Sequence, residues 1–309
     1  MKDMIELILL SDIPPFSLNL ISDVNEMLSL DFMRYAFVAG TMVAIVSGLV
    51  GYFIVLRNLV FATEALGHVT FTGALAAAVL GLDPLIGLFG ATTLVALLLG
   101  VLGTQVQEND VVVGTVLAWV LGGGALFLSI YTTQSSGANG TFGVKYLFGS
   151  LFGLQAQQAQ QVAIIGLALI VALLVIARPL LFASLDPDVA MARGLPVRGL
   201  SLVFLVLVAL SLAEAVPAVG SLLNSALLIT PAAIAQRLVT RPMVALVLSA
   251  LLALTFTWVS LTIGFYASYP VSFVISTLAF VTYVWVVTWQ RLRASFAPRL
   301  LNTAHLTNV

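Results

Sequence analysis

The sequence predicts an all-α fold, a polytopic membrane helix bundle with eight or nine transmembrane segments. Three observations predict it. The 309-residue chain is 61% hydrophobic and only 8% charged. The stretches 37–56, 84–107, 111–144, 146–177 and 243–290 carry no charged residue. About 20 apolar residues span a bilayer as a helix, so these stretches account for most of the chain. No soluble domain of useful size remains.

Nine apolar segments follow in order. The first, 37–56, is uninterrupted and ends at Arg57. The second, 65–82, contains His68 and polar threonines and is one of the two weakest. Asp83-Pro84 starts the third, 84–104, because Asp caps helices and Pro fits the first helical position. The fourth, 111–131, runs into a Ser-, Thr-, Gly- and Asn-rich stretch, 131–143, that reads as an external loop. The fifth is 160–177 and the sixth 199–216. The seventh, 218–236, contains Asn224 and Pro231 and is the other weak one. The region 243–290 is long enough for two spans, 243–263 and 271–290, with Tyr269-Pro270 at the bend. The two weak segments read as broken or re-entrant helices, which a membrane tolerates where they line a polar cavity. That leaves eight spans as the alternative to nine.

Positive residues favour the cytoplasmic side. With nine spans and an external N-terminus, Arg57, Arg178, Arg193, Arg198, Arg237, Arg241, Arg291, Arg293 and Arg299 lie inside, and only Lys2, Arg34 and Lys145 outside. This orientation divides the chain into an acidic external tail (1–31), a transmembrane domain (32–291) and a cytoplasmic tail (292–309). The acidic tail holds six of the thirteen acids and reads as a solvated segment with a short interfacial helix. No small-x-small cleavage site follows the first apolar run, so no cleavable signal peptide is expected.

Composition also excludes functions. The chain has no cysteine, hence no disulfide frame and no thiolate metal site. A net charge of −1 gives no support for nucleic-acid binding. Lys2 and Lys145 are the only lysines and neither follows a glycine, so no phosphate-binding P-loop exists. If ATP drives this protein, another chain hydrolyses it. There is no His-Glu-x-x-His motif and no nucleophile–base arrangement, so an enzyme is not expected.

The chemistry-bearing residues are few. Glu64 and His68 are four apart and fall on one face of a helix, where carboxylate and imidazole can hold a divalent metal. Ionisable groups inside a membrane are costly and mark a site or pathway. The alternative is an interhelical hydrogen-bonded pair with no ligand. Because metal binds ionised Glu and neutral His, binding weakens as pH falls. Two ligands are too few for a closed site, so the coordination stays open for transit or is completed from elsewhere. Glu214 is the other carboxylate in an apolar run. Its place near the outer end of its span predicts an acid that snorkels to water; the alternative is a third pathway ligand. His305 reads as a surface residue in a polar tail. Gly149 and Gly153 fit a small-xxx-small helix contact, a weak pattern among 24 glycines.

The segment Asp186-Pro187-Asp188-Val189-Ala190-Met191-Ala192-Arg193-Gly194-Leu195 lies in a cytoplasmic loop. Asp186 suits the N-cap, Pro187 the first helical position and Gly194 the stop, giving a short helix on the cytoplasmic face. It reads either as an ordinary loop helix or as a docking helix for a cytoplasmic motor.

Four stretches together resemble the membrane permeases of bacterial zinc and manganese ABC importers. Leu56-Arg57 followed by Glu64-Ala65-Leu66-Gly67-His68 resembles the family's Leu-Arg and Asp-Ala-Leu-Ser-His. Leu147-Phe148-Gly149-Ser150-Leu151 resembles Leu-Phe-Gly-x-Leu. Residues 186–195 resemble its coupling-helix loop, which ends Ala-x-x-x-Gly-Leu. Val219-Gly220-Ser221-Leu222-Leu223 and Ala226-Leu227-Leu228-Ile229-Thr230-Pro231-Ala232-Ala233 resemble Val-Gly-x-Leu-Leu and Ala-Leu-Leu-x-x-Pro-Ala-Ala. The motifs occur in the family's order over most of 33–290. There are departures: Glu for Asp at 64, Thr63 for Gly, Thr72 for Pro, and a 268–272 segment lacking the family's acid and glycine.

The resemblance implies a type II ABC importer-like permease in the bacterial inner membrane. Zinc is the first expectation for the transported ion and manganese the second, with no permanently bound cofactor. It implies a cytoplasmic ABC ATPase dimer, an extracellular or periplasmic metal-binding protein and a second permease chain, most simply a homodimer. Glu64 and His68 then occupy the family's pathway positions, and 186–195 the coupling helix. Two rivals remain at this point: an ABC permease for a chelate or siderophore, and an ATP-independent cation- or proton-coupled carrier using Glu64, His68 and Glu214.

Overall fold

The computed structural model describes residues 27–102, 110–134, 140–267 and 269–304. Eleven α-helices are assigned among them, with no strand. In chain order they are α1 (Asp31–Leu56), α2 (Val60–Val79), α3 (Pro84–Leu102), α4 (Asp110–Gln134), α5 (Gly140–Phe148), α6 (Ala156–Leu185), α7 (Pro187–Ala192), α8 (Val197–Val219), α9 (Asn224–Leu238), α10 (Pro242–Ala267) and α11 (Val271–Ala304). A single 3₁₀ turn, Leu151–Gly153, stands between α5 and α6.

Seven of the described helices are long and apolar enough to cross a membrane: α1, α3, α4, α6, α8, α10 and α11. The remaining two expected segments are α2, which carries Glu64 and His68, and α9, which has only 15 residues. These are the two that sequence marked as weakest. α2 carries Thr63, Glu64, His68, Thr70 and Thr72 among its apolar residues, and α9 starts late because the chain is broken at Gly220.

The bend at Tyr269-Pro270 falls as expected between α10 and α11. Asp83 caps α3, its carboxylate accepting from the Leu85 N–H at 2.9 Å. One expectation needs correcting. Residues 140–143, read as loop, open α5. α11 runs on to Ala304, through part of the expected tail.

The helices form two groups joined by α8. α1 packs on α6, α9 and α10, with α11 against α9 and α10, while α2 packs on α3 and α4. α8 touches α1 and α6 on one side and α2 and α3 on the other. Accordingly α1 and α8 are each 72% buried over their most apolar window, against 17% for α4 and 22% for α3. Phe53 of α1 and Phe204 of α8 meet edge to face in the main core, ring centroids 5.9 Å apart. At the end of α1, Arg57 reaches α8, donating to the Ser201 hydroxyl and lying over the Phe204 ring.

Inside a bilayer, helix association depends on close packing and hydrogen bonds, because lipid is as apolar as the side chains it replaces. α1 uses glycine for this. A methyl on Gly48 would stand 2.5 Å from the Ala250 Cα of α10, and the Ser249 hydroxyl donates to the Gly48 carbonyl at 2.7 Å. A methyl on Gly51 would run into the Leu228 carbonyl of α9.

Gly90 on exposed α3 has open space beside it. The same substitution should therefore act oppositely at two sites. Gly51→Ala should lower stability by about 1–3 kcal/mol through overpacking. Gly90→Ala should be neutral or stabilising by up to about 1 kcal/mol through helix propensity. Thermal melts of the two variants in detergent check this directly; equal melting points would disprove the tight α1–α9 crossing.

Candidate metal site

Glu64 and His68 sit in the first half of α2. Asn58, at a φ of 54°, turns the chain out of α1 so that α2 can start at Val60. The i, i+4 spacing then puts both side chains on one face, with Glu64 Oε1 and His68 Nε2 3.6 Å apart. The side chains are only partly enclosed, His68 16% and Glu64 36% exposed, so an ion can reach them. Across from the pair, the Ser225 hydroxyl donates to Glu64 Oε2. Ser225 is the second residue of α9, so the carboxylate stands at the positive end of that helix. α2 and α9 belong to different helix groups, and this contact bridges them.

The start of α9 is fixed by a break in the backbone. α8 ends at Gly220, whose φ of +89° glycine adopts without strain, and α9 resumes at Asn224. Such a break frees backbone polar groups in apolar surroundings, and each needs a partner. The end of α5 and the residues just after it supply them. Ser221 N–H donates to the Tyr146 carbonyl (3.0 Å) and Leu222 N–H to that of Leu147 (3.2 Å). In return, Ser150 N–H donates to the Pro217 carbonyl (3.3 Å). The Ser272 hydroxyl at the start of α11 lies within donating distance of two carbonyls, Phe148 (3.0 Å) and Val219 (2.9 Å). Gly149, at φ +71°, packs so closely that a methyl on Gly220 would lie 2.5 Å from its nitrogen. Two motifs noted separately in the sequence, at 147–151 and 219–223, are therefore the two halves of one backbone clip. The small-xxx-small reading of Gly149 and Gly153 is corrected: Gly149 is in a turn and Gly153 in the 3₁₀ turn.

Glu214 is not where its position in the span suggested. It does not snorkel: it is 2% exposed, and neither carboxylate oxygen has a hydrogen-bond partner. Oε1 faces Gly166 of α6, where an added methyl would stand 2.5 Å away, with Met42 of α1 alongside. Its face of the helix turns inward, toward α6. No three His, Cys, Asp or Glu residues come together among the described residues, so Glu214 does not join Glu64 and His68. His305 lies outside the described residues.

The loop segment folds as its sequence requires. The Asp186 carboxylate accepts from Val189 N–H at 3.1 Å, Pro187 opens α7, and Gly194 stops it at φ +81°. Ala190 is fully buried, while Asp188, Val189, Met191 and Arg193 face outward. Sequence reasoning missed Ser225 and Ser272. Their one signal was a serine in an otherwise apolar run.

Seven described helices long and apolar enough to cross a membrane define the class: a polytopic membrane protein. The ABC 3 transport family matches residues 29–290, and the chain belongs to that family. It is 29% identical to the manganese transport system membrane protein MntC of Halalkalibacterium halodurans, over 74% of this chain and 76% of that one. It is 30% identical to the MntC of Listeria innocua, over 77% and 82% respectively. Its fold matches PsaBC from Streptococcus pneumoniae, solved in complex with a Fab, at a TM-score of 0.74 and 26% identity, covering 86% of this chain and 95% of that one.

The clip yields a ranked expectation. Gly220→Ala should destabilise the protein by about 1–3 kcal/mol, from left-handed strain added to a collision with Gly149. Ser272→Ala removes one hydroxyl and should cost about 1 kcal/mol. Chemical denaturation of the two variants beside wild type measures this, and the reverse order would show that the clip is not under tension.

Proposed function

We propose that this chain is the permease subunit of an ATP-driven importer of a divalent transition metal, with Glu64 and His68 as the ligands that receive the ion in transit. The observation that carries the proposal is the pair itself. Carboxylate and imidazole share one face of α2, open on one side and held by Ser225 on the other. Imidazole and carboxylate suit manganese and zinc alike. The relatives named for manganese transport, and the added hydroxyl oxygen, put manganese ahead of zinc, reversing the order expected from sequence. Two protein ligands leave coordination positions for water, which favours passage over retention.

In this reading α2 and α9 complete a bundle of eight or nine spans with the arginine-rich end in the cytoplasm. Two permease copies line the pathway, an external binding protein delivers the ion, and two cytoplasmic ATPases dock on α7. That helix, within the segment 186–195, is held by a cap, a proline start and a glycine stop, and offers Val189 and Met191 outward. ATP binding and hydrolysis in the partner would move α7 and so alternate access to the pair.

Radiometal uptake in cells lacking this chain tests the assignment. Glu64→Ala/His68→Ala, at matched membrane levels, should fail to restore manganese uptake that wild type restores. Ser225→Ala should weaken apparent affinity about 10-fold, as expected of a group that orients a ligand. Full rescue by the double variant would remove the pair from the pathway.

The docking role of α7 has its own test. Val189→Asp/Met191→Asp should abolish co-purification of the ATPase and uptake, while manganese binding to the permease persists. Retained co-purification would exclude α7 as the docking helix.

A further inference from the structure

Charge is one-sided in the last part of the chain. Beyond Glu214 the sequence holds no Asp or Glu, yet Arg237, Arg241, Arg291, Arg293 and Arg299 all fall there. Folding brings four of them to one end of the bundle. α9 ends at Leu238, α10 starts at Pro242, and the Gln290 amide of α11 donates to the Arg237 carbonyl at 2.7 Å. The arginines around α7 differ, because Asp186 and Asp188 stand between Arg178 and Arg193. That surface is mixed in charge, as suits the protein partner proposed above.

These arginines are set among aromatic rings. Arg237 lies over the Tyr283 ring, 5.3 Å from its centroid, and donates to its hydroxyl at 3.1 Å. On a neighbouring flank of α11, Trp285, Trp289 and Arg293 follow at four-residue spacing. The two indoles stack with centroids 6.0 Å apart, and the Arg293 guanidinium lies 5.0 Å over Trp289. Trp285 is 64% and Trp289 47% exposed, and Arg237, Arg241 and Arg293 are exposed as well.

We infer that this end of α9, α10 and α11 binds an anionic glycerophospholipid of the cytoplasmic leaflet, with Arg237, Arg241 and Arg293 holding the phosphodiester and Trp285 and Trp289 lying along the glycerol and acyl chains. The inference needs only the membrane orientation and holds whether or not the Glu64–His68 pair binds metal. Charge complementarity is its first support: guanidiniums on helices that carry no acid match a leaflet of anionic headgroups. Depth is the second. Indole and phenol rings settle where hydrocarbon meets headgroups. Along α11 the exposed residues run from Phe280, Val281 and Val284 through the two indoles to Arg293, in the order of chain, boundary and phosphate. Preorganisation is the third. Tyr283 takes one of the five guanidinium donors of Arg237, and Trp289 holds Arg293 from one face, so both groups are fixed with donors left for phosphate. A second copy of this chain on the same surface would set these cations against themselves. Bound lipid would also hold the last turn of α9, the helix whose first turn meets Glu64.

Native mass spectrometry of the full-length chain, titrated with phosphatidylglycerol or phosphatidylcholine of the same acyl composition, tests this. Wild type should bind phosphatidylglycerol about 10-fold or more tightly than phosphatidylcholine. Arg293→Gln should weaken phosphatidylglycerol about 5-fold, and Arg237→Gln/Arg293→Gln about 20-fold, with phosphatidylcholine unchanged. Arg293→Gln removes only a contact on an exposed ring and should melt as wild type does, which separates lost binding from lost fold. Trp285→Ala/Trp289→Ala should weaken both lipids alike, because the rings meet the part the two share. Arg178→Gln/Arg198→Gln, on the helices flanking α7, should leave both unchanged. Phosphatidylglycerol binding kept in Arg237→Gln/Arg293→Gln overturns the site, and so does an equal loss in Arg178→Gln/Arg198→Gln. Displacement of the lipid by excess inorganic phosphate would show a bare anion site and overturn the lipid assignment.

Discussion

The backbone clip between 146–150 and 217–222 is the constraint on which the rest of the structure depends. A chain that breaks inside a membrane bundle must find partners for the amides and carbonyls it frees, because lipid offers none. Here the break after α8 is answered from a segment about seventy residues earlier, and Ser272 closes the arrangement from α11. Two consequences follow. α9 begins where Ser225 meets Glu64. The end of α8 is held so that Glu214 faces α6. One set of main-chain bonds thus sets where both carboxylates lie.

The helix grouping gives the pair its mechanical meaning. α2 belongs with α3 and α4, α9 with α1, α10 and α11, and α8 joins the two groups. The Glu64–Ser225 contact therefore crosses a seam between groups rather than lying within one. Any relative displacement of the groups alters the distance between the carboxylate and the first turn of α9. By contrast, α1 crosses α9 and α10 at glycine contacts too close to slide. A displacement between the groups is less hindered than sliding within the α1 group, and it acts at the Glu64–Ser225 contact.

Much of this was legible in the sequence, for identifiable reasons. α7 was readable to the residue because its cap, its proline and its glycine are local signals with one structural meaning each. The weakness of segments 65–82 and 218–236 was readable because polar residues and a helix break lower apolarity directly. The clip was not, since main-chain hydrogen bonds between distant segments leave no side-chain signature beyond two glycines. One of them, Gly149, was first assigned with Gly153 to helix packing, which is the commoner use of small residues in membranes. Ser225 was hidden because a lone serine near a helix start reads as local capping. Glu214 was misjudged because periodicity in a uniformly apolar helix cannot say which face looks inward; every face of α8 would look the same to lipid.

The two carboxylates within the bundle show how environment, not residue type, divides their roles. Glu64 has an imidazole at 3.6 Å, a donated hydroxyl and a helix N-terminus, and it is one-third exposed. Its charge is accommodated by these contacts. Glu214 has none of these. It is buried against Gly166 and Met42 with no partner for either oxygen, a cost that the packing of α8 against α6 and α1 must offset.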